Sequence, residues 1–342
     1  MIEVFDFFSG CGGTSLGFQN YGFRIIGAMD FDKDSASTFR KNFPKAKFIE
    51  SDIRLVKPQA LSKIITKPRN RKNPLLFCGC APCQPFSKQR RIKQENDNRI
   101  NLLSEFQRFI EYWRPDFIFL ENVPGLQNIN RAGGVVKRFT NRLTRLGYTF
   151  DTSVVKASDI GVPQVRKRFI LTAAYKGKSI IPISSIVDKY KNTTPTVKEC
   201  ISDLPAIGAG EKHPRIPNHA TAKLSKQNLI RIKNTPEGGD RRDWPKRLKI
   251  DCHENYNGHR DVYGRMKWDA PAATLTTKCI SYSNGRFGHP EQDRAISVRE
   301  AARLQTFPDT FLFLGSLGSC ARQVGNAVPP LMAERISEAF VF

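Results

Sequence analysis

Cys83 stands between two prolines, Pro82 and Pro85, in the stretch GCAPCQPFS. The prolines stiffen the backbone and would hold the thiol in one position. A cysteine acts as a nucleophile in its thiolate form, although a buried cysteine is more often inert packing. A cysteine hydrolase pairs its thiolate with a histidine, and the first histidine of this chain is His213. Hydrolase chemistry is therefore disfavoured, with a distant histidine left open.

Charged side chains at two further positions could act on a substrate. Glu121 follows a short apolar run, and a carboxyl group at such a strand end can have a raised pKa and donate a proton near neutrality. Capping the next segment is an equally good explanation for it. In Gln164–Arg168, the spacing predicts Arg166 and Arg168 on one face of a strand, suited to a phosphate, carboxylate or carbonyl group. An exposed basic strand would look the same.

A glycine-rich turn, DFFSGCGGTSLGF, joins the first predicted strand to the first helix. Gly10, Gly12 and Gly13 would allow a ligand to approach the backbone closely. The spacing fits neither GxGxxG nor GxxxxGK[ST], so a dinucleotide or a nucleoside triphosphate is not indicated. Asp30 could accept ribose hydroxyls, Asp52 the amino group of a base, and Phe8 could stack. Each also has an ordinary structural explanation, as a turn, a helix cap or a core residue.

Strand and helix patterns alternate in the first half of the chain. Apolar runs predict strands at residues 2–8, 25–29, 47–49, 75–78 and 117–120, and helical spacing is seen at 32–42, 101–113 and 134–146. This alternation predicts an α/β fold with a doubly wound, mostly parallel sheet. The glycine turn, Asp30, Asp52, Cys83 and Glu121 all follow strand ends, which form the ligand crevice in such sheets.

The second half has a different character. It is rich in Pro, Asn, Thr and Gly, contains all 5 histidines and loses the alternation until residues 297–304. We expect a catalytic domain at residues 1–179 and 316–342, and a smaller, irregular inserted domain at 180–315. The final apolar segment, 331–341, is predicted to be a helix that returns to the first domain. No membrane-length apolar run occurs, and the N-terminus reads as a strand rather than a leader, so we expect a cytoplasmic protein.

Lysine and arginine total 55 against 32 acidic residues, a formal charge of +23. Such an excess favours a polyanionic partner, because neutralised phosphates release counterions. The 8 cysteines are scattered, which argues against a disulfide scaffold. Zinc held by the cysteines near Cys83, or by the irregularly spaced Cys252, His253, His259 and Cys279, is disfavoured, and we expect no metal site.

Six motifs occur in order along the chain: DFFSGCGG, GCAPCQPFS, ENV, QVRKR, RAISVREAARLQTFPDTF and QVGNAVPP. In content, order and spacing they resemble the cytosine-5 DNA methyltransferases of bacterial restriction-modification systems, over nearly the whole length. The resemblance implies that a methyl group passes from S-adenosylmethionine to carbon-5 of a flipped cytosine in a specific double-stranded DNA sequence. The inserted domain would then be a target-recognition domain, and its stretch PAATLTT resembles the recurrent element of such domains.

The resemblance also implies roles for individual residues. The catalytic residues would be Cys83 as nucleophile, Glu121 and Arg168 on the target base, and Arg166 in support. The cofactor pocket would be lined by Phe8, Gly10, Gly12, Gly13, Asp30, Asp52, Ile53, Pro82, Asn326 and Val328. Substrate contacts would come from Gln84, Ser87, Arg99 and Thr274. A monomer is expected, with a cognate restriction endonuclease as a partner acting at the same site.

Two departures from the family pattern stand out. Asp30 replaces the usual glutamate, so the ribose contact would be shorter or bridged by water. The loop after Cys83, at residues 88–103, lacks the usual glycines, so its closure would be stiffer. Two alternatives remain: an RNA cytosine-5 methyltransferase, which the sizeable insert disfavours, and a non-enzymatic DNA-binding module, which the intact Cys83, Glu121 and Arg168 disfavour.

Overall fold

The computed structural model of the chain describes residues 1–66, 72–81, 102–124, 134–250 and 261–341. The main strands are β1 (Glu3–Phe7), β2 (Arg24–Asp30), β3 (Lys47–Glu50), β4 (Leu75–Gly79), β5 (Phe117–Asn122), β6 (Tyr148–Lys156) and β7 (Lys167–Tyr175). Within the described residues they form one seven-stranded sheet in the order β3-β2-β1-β4-β5-β7-β6. A separate short antiparallel pair joins β8 (Ser179–Ile180) to β9 (Phe340–Val341).

The sheet is mostly parallel, as predicted. The first five strands pair in parallel, and β7 runs antiparallel to β5 and β6. All residues of β4 and β5 are buried, which explains their continuous apolar runs, since parallel strands are covered on both faces. The strand order changes direction between β1 and β4. Such a switch point places a crevice beyond the carboxyl ends of the two strands.

The helices are α1 (Gly13–Asn20), α2 (Lys33–Asn42), α3 (Leu102–Trp113), α4 (Val135–Leu146), α5 (Ile183–Tyr190), α6 (Val197–Ile201), α7 (Lys226–Lys233), α8 (Val298–Leu304), α9 (Leu317–Asn326) and α10 (Pro330–Ile336). Helix α3 shows why the spacing was informative. Its buried side chains, Leu103, Phe106, Phe109, Ile110 and Trp113, recur at three- and four-residue intervals and join the main apolar core. The predicted helices at 101–113 and 134–146 are confirmed.

The chain forms two compact units. Unit 1 comprises Met1–Ile160, Lys167–Asn192 and Val328–Phe342, and unit 2 comprises Gly161–Arg166 and Thr193–Ala327. These limits differ from the domain limits expected from the sequence, most clearly at the C-terminal side. The assignment of a catalytic and a target-recognition domain stays a prediction.

Unit 2 is irregular, as its composition indicated. Its described residues contain short helices and isolated bridges but no strand of the sheet. A small buried cluster of Ile232, Trp244, Leu248, Tyr282 and Ala295 forms part of its interior.

The C-terminal segment returns to unit 1, and its helix ends earlier than predicted. Helix α10 stops at Ile336 and is followed by a 3-10 turn and β9. It packs tightly on α1, where a Cβ at Gly17 would lie 2.2 Å from the carbonyl oxygen of Pro330. No described helix is long and apolar enough to cross a membrane.

Candidate active site

The glycine turn lies between β1 and α1, at the carboxyl end of β1. Gly10 and Gly12 have φ values of +52° and +100°, which L-residues with side chains rarely adopt. A Cβ at Gly12 would meet Phe43 at 2.5 Å, whereas no atom of the described residues lies within 4 Å of a Cβ at Gly10. Gly12 is therefore required for packing against α2, and the backbone at Gly10 borders open space.

A polar and an aromatic side chain accompany this turn. The buried Ser9 hydroxyl has no hydrogen-bond partner among the described residues. Phe8, just before it, is half-buried against the sheet core and has a left-handed φ of +57°. A strained backbone and an unsatisfied buried hydroxyl next to open space are typical of a ligand site.

Asp30 ends β2 and holds the glycine turn. Its carboxylate accepts the N–H of Gly10 at 2.8 Å and the N–H of Asp32 at 2.9 Å, one on each oxygen. Burial raises the pKa of Asp30, and these two donors oppose that rise. A carboxylate has about four acceptor sites, so Asp30 keeps capacity for a ligand hydroxyl.

The carboxylate of Asp52 is bound by a neighbouring arginine. It caps the 3-10 turn that includes Ile53 and binds Arg54 through both carboxylate oxygens, at 2.5–3.0 Å. The Arg54 hydrogen bonds lower the pKa of Asp52. A contact from Asp52 to a base would have to share the carboxylate with Arg54.

Phe31, between Asp30 and Asp32, was not among the predicted site residues. It is 68% exposed, although a phenylalanine beside a buried carboxylate would ordinarily be expected in the core. The sequence feature that could have indicated Phe31 was its position directly after the end of a predicted strand. Phe31 offers an open aromatic face beside Asp30, where Phe8 was expected to provide one.

Glu121 and Arg168 form the charged centre of the site. Arg168 Nε lies 2.6 Å from Glu121 Oε1, with side chains only 13% and 9% exposed, although the N–H is not aligned for a hydrogen bond to that oxygen. The pairing follows from sheet register, since β7 runs antiparallel beside β5. A carboxylate and a guanidinium side by side can bind the acceptor and donor edge of a heterocyclic base.

Asn122, also missed, anchors the segment that leads to the proposed nucleophile. Its Nδ2 donates to the Ala81 carbonyl at 3.1 Å, and both residues are buried. This bond fixes the chain immediately before Pro82. Pro82, Cys83, Gln84, Ser87 and Arg99 lie outside the described residues, as does nearly all of the glycine-free loop.

Arg166 does not share a strand face with Arg168, contrary to the prediction. Strand β7 begins at Lys167, and Arg166 is buried in unit 2, where its Nη1 donates to the carbonyls of Leu275 and Gly325 at 3.3 and 2.9 Å. Its guanidinium therefore supports backbone in unit 2. The period-two rule failed because the strand starts one residue later than the motif suggests.

The remaining predicted residues are divided between the units. Asn326, exposed at the end of α9, and the exposed Thr274 belong to unit 2, and the buried Val328 belongs to unit 1. Phe8, the glycine turn, Asp30, Asp52 and Ile53 come together at the carboxyl ends of β1, β2 and β3. Unit 1 thus gathers most of the predicted pocket by itself.

Comparisons with known proteins identify the family of the chain. The model of the C-5 cytosine-specific DNA methylase family matches residues 2–341. The type II methylase M.HgiDII of Herpetosiphon aurantiacus is 40% identical, with 98% of this chain and 94% of the relative covered. The type II methyltransferase M1.HphI of Haemophilus parahaemolyticus is 34% identical, with coverage of 99% and 86%.

A solved structure is also similar over its full length. A prophage-encoded protein of E. coli, described as a candidate DNA modification methyltransferase, superposes with a TM-score of 0.76 at 26% identity, covering 99% of this chain and 98% of that one. The family model and the two relatives extend over both units and every motif. The chain therefore belongs to the C-5 cytosine-specific DNA methylases, a family of DNA (cytosine-5)-methyltransferases.

Proposed function

We propose that this enzyme methylates carbon-5 of one cytosine within a specific double-stranded DNA sequence, through a covalent bond to Cys83. The observation that carries the proposal is the buried Glu121–Arg168 pair, next in sequence to Asn122, which anchors the segment entering Pro82-Cys83. Glu121 and Ala81, the last described residue before Cys83, thereby lie at the ends of two adjacent strands, β5 and β4.

The residues of the chain would act on the cytosine in successive steps. A cytosine in a duplex is inaccessible, so it is flipped out of the stack at a cost of a few kcal/mol. The Cys83 thiolate adds to carbon-6 while Glu121 hydrogen-bonds or protonates ring nitrogen-3 and Arg168 holds the base. The addition makes carbon-5 electron-rich. After methylation, loss of the carbon-5 proton and of the Cys83 thiolate restores the aromatic ring.

The glycine turn fits S-adenosylmethionine. Open space at Gly10, the unsatisfied Ser9 hydroxyl and the spare acceptor sites of Asp30 suit a nucleoside with a polar tail and no phosphate. Asp30 would bind the ribose and Phe31 would stack on the base, with Gly12, Gly13, Ile53, Pro82 and Val328 completing the pocket. When bound, this cofactor supplies an electrophilic methyl group.

The natural role would be the modification half of a restriction-modification system, with a cognate endonuclease acting at the same DNA site. Both reported type II relatives support this assignment. Unit 2 would contact the DNA, with Thr274 in the segment PAATLTT among its contacts. We expect the enzyme to act as a monomer in the cytoplasm.

Duplex DNA with 5-fluorocytosine at the target tests the proposal, since fluorine at carbon-5 cannot leave as a proton does. Bisulfite sequencing of plasmid DNA from expressing cells first identifies the target. The wild-type protein with S-adenosylmethionine should then form an adduct that survives denaturing electrophoresis. Cys83→Ala should abolish it because no sulfur remains to bond carbon-6.

Cys200→Ala is the matched control, because Cys200 lies in α6 of unit 2. It should form the adduct at the wild-type level. An adduct that persists in Cys83→Ala would refute the nucleophile assignment, and methylation of RNA in place of duplex DNA would favour an RNA cytosine-5 methyltransferase.

A further inference from the structure

Two buried glutamines in unit 2 form a directional chain of hydrogen bonds. Gln164 and Gln305 are both fully buried. The Leu275 N–H donates to Gln164 Oε1 at 2.8 Å, Gln164 Nε2 donates to Gln305 Oε1 at 2.9 Å, and Gln305 Nε2 donates to the Val324 carbonyl at 2.6 Å. The chain connects the segment PAATLTT (residues 271–277) to helix α9.

The same segment is held at three other points. Val165 N–H donates to the Ala272 carbonyl at 3.0 Å, and Ala272 N–H donates to the Pro163 carbonyl at 2.9 Å. Arg166 donates to Leu275 and Gly325. The fit on α9 is so close that a Cβ at Gly325 would lie 2.1 Å from the Thr276 carbonyl oxygen.

Thr274 is the exception within this fixed segment. Its neighbour Leu275 is buried with a fully satisfied backbone, whereas Thr274 is exposed. Buried amides and a guanidinium hold this short segment. Burying these polar groups costs desolvation free energy, so their hydrogen bonds add little net stability to the fold. What the arrangement does provide is one fixed orientation for the exposed side chain.

We propose that Gln164 and Gln305 are positioning residues that present Thr274 to the DNA. This inference rests on the proposed function, because it concerns how unit 2 contacts the duplex. A glutamine is required at each position, since its amide must accept one hydrogen bond and donate another in a fixed order. Arg166 belongs to the same framework and acts on the segment rather than on the base.

Gln164→Met tests the proposal, because methionine has nearly the same shape and can neither accept the Leu275 N–H nor donate to Gln305. Steady-state methylation should show a KM for DNA raised roughly tenfold, with kcat nearly unchanged. The Kd for S-adenosylmethionine, measured by calorimetry, should stay at the wild-type value, since the glycine turn lies in unit 1.

Gln323→Met is the matched control for loss of a buried glutamine. Gln323 is also buried in unit 2, but its amide donates to the Leu314 carbonyl and to Ser319. It should lower the melting temperature without raising the KM for DNA. An equal KM for DNA in wild type, Gln164→Met and Gln323→Met would overturn the positioning role.

If Gln164→Met does not fold, Gln305→Met replaces it, since methionine there leaves the Leu275–Gln164 hydrogen bond and removes the link to the Val324 carbonyl. A raised KM for DNA supports the proposal, and an unchanged one overturns it. Failure of the proposed function looks different, because then the wild-type protein would methylate no duplex DNA.

Discussion

Burial of a carboxylate near the end of a strand lowers the stability of this protein. Asp6 is fully buried below the glycine turn, and its Oδ2 accepts the Ser15 hydroxyl at 2.7 Å. Its other oxygen has no hydrogen-bond partner among the described residues. Burial raises the pKa of Asp6 to about 7, with the Asp30 carboxylate adding to the rise. Such a group is retained at a functional site although it destabilises the fold.

Asp6→Asn should therefore stabilise the cofactor-free protein, and more so at high pH. In the unfolded chain Asp6 ionises near pH 3.8, and in the folded chain near pH 7. Between these values the folded state binds more protons, so the wild type loses stability as pH rises, by on the order of a few kcal/mol in total. Asparagine can still accept from Ser15 and never ionises.

Melting temperatures of Asp6→Asn and wild type at pH 5 and pH 8 measure this effect. The gain of the variant should be larger at pH 8. The same gain at both pH values would contradict the ionisation of Asp6 in this window.

At the scale of elements, the carboxyl ends of the strands could be predicted from the sequence. The start of β7 and the contacts between residues distant in sequence could not. Strand β5 was recognisable because both faces are buried, and this placed Glu121 at its end. Arg166 was misplaced because the strand begins at Lys167, a limit set by the tertiary contacts of Gln164 and Arg166 rather than by local propensity. Asn122 and Phe31 were missed because their roles depend on neighbours distant in sequence or on exposure.

The α1–α10 contact determines how the C-terminal segment joins unit 1. Gly17→Ala should destabilise the protein by about 1–3 kcal/mol, because the added methyl group would collide with α10 backbone that cannot move aside easily. Chemical denaturation should show a lower midpoint with an unchanged slope.

Gly318→Ala in α9 is the control for a helical glycine. Within the part of the chain that the structure describes, no atom lies within 4 Å of its Cβ position, so alanine should be neutral or stabilise by up to about 1 kcal/mol. A similar loss in both variants would show that the α1–α10 contact is not the cause.

At the scale of the whole molecule, the charge of +23 predicts that DNA affinity depends on salt. Part of this charge lies on two neighbouring elements of unit 2. Helix α7 and the 3-10 turn Lys246–Leu248 both pack on the small core cluster through Ile232 and Leu248, and Arg231 Nε donates to the Leu248 carbonyl at 3.4 Å. Lys226, Lys233 and Lys246 on these elements are exposed, and no ion pair involves them among the described residues.

Replacing Lys226, Lys233 and Lys246 with glutamine should weaken binding to DNA of any sequence and leave the methylated site unchanged, because phosphate contacts provide affinity without reading bases. The slope of log K against log salt concentration should become shallower by ~0.9 for each lysine that contacts a phosphate.

The control replaces Lys41, Lys45 and Lys47, which are exposed on unit 1 near β3, and removes the same charge. Fluorescence anisotropy measured between 50 and 200 mM salt distinguishes the two triple variants, because phosphate contacts change DNA affinity by orders of magnitude over this range. Equal slopes in the two triple variants would mean that the overall charge, rather than these two elements of unit 2, is responsible for the attraction to DNA.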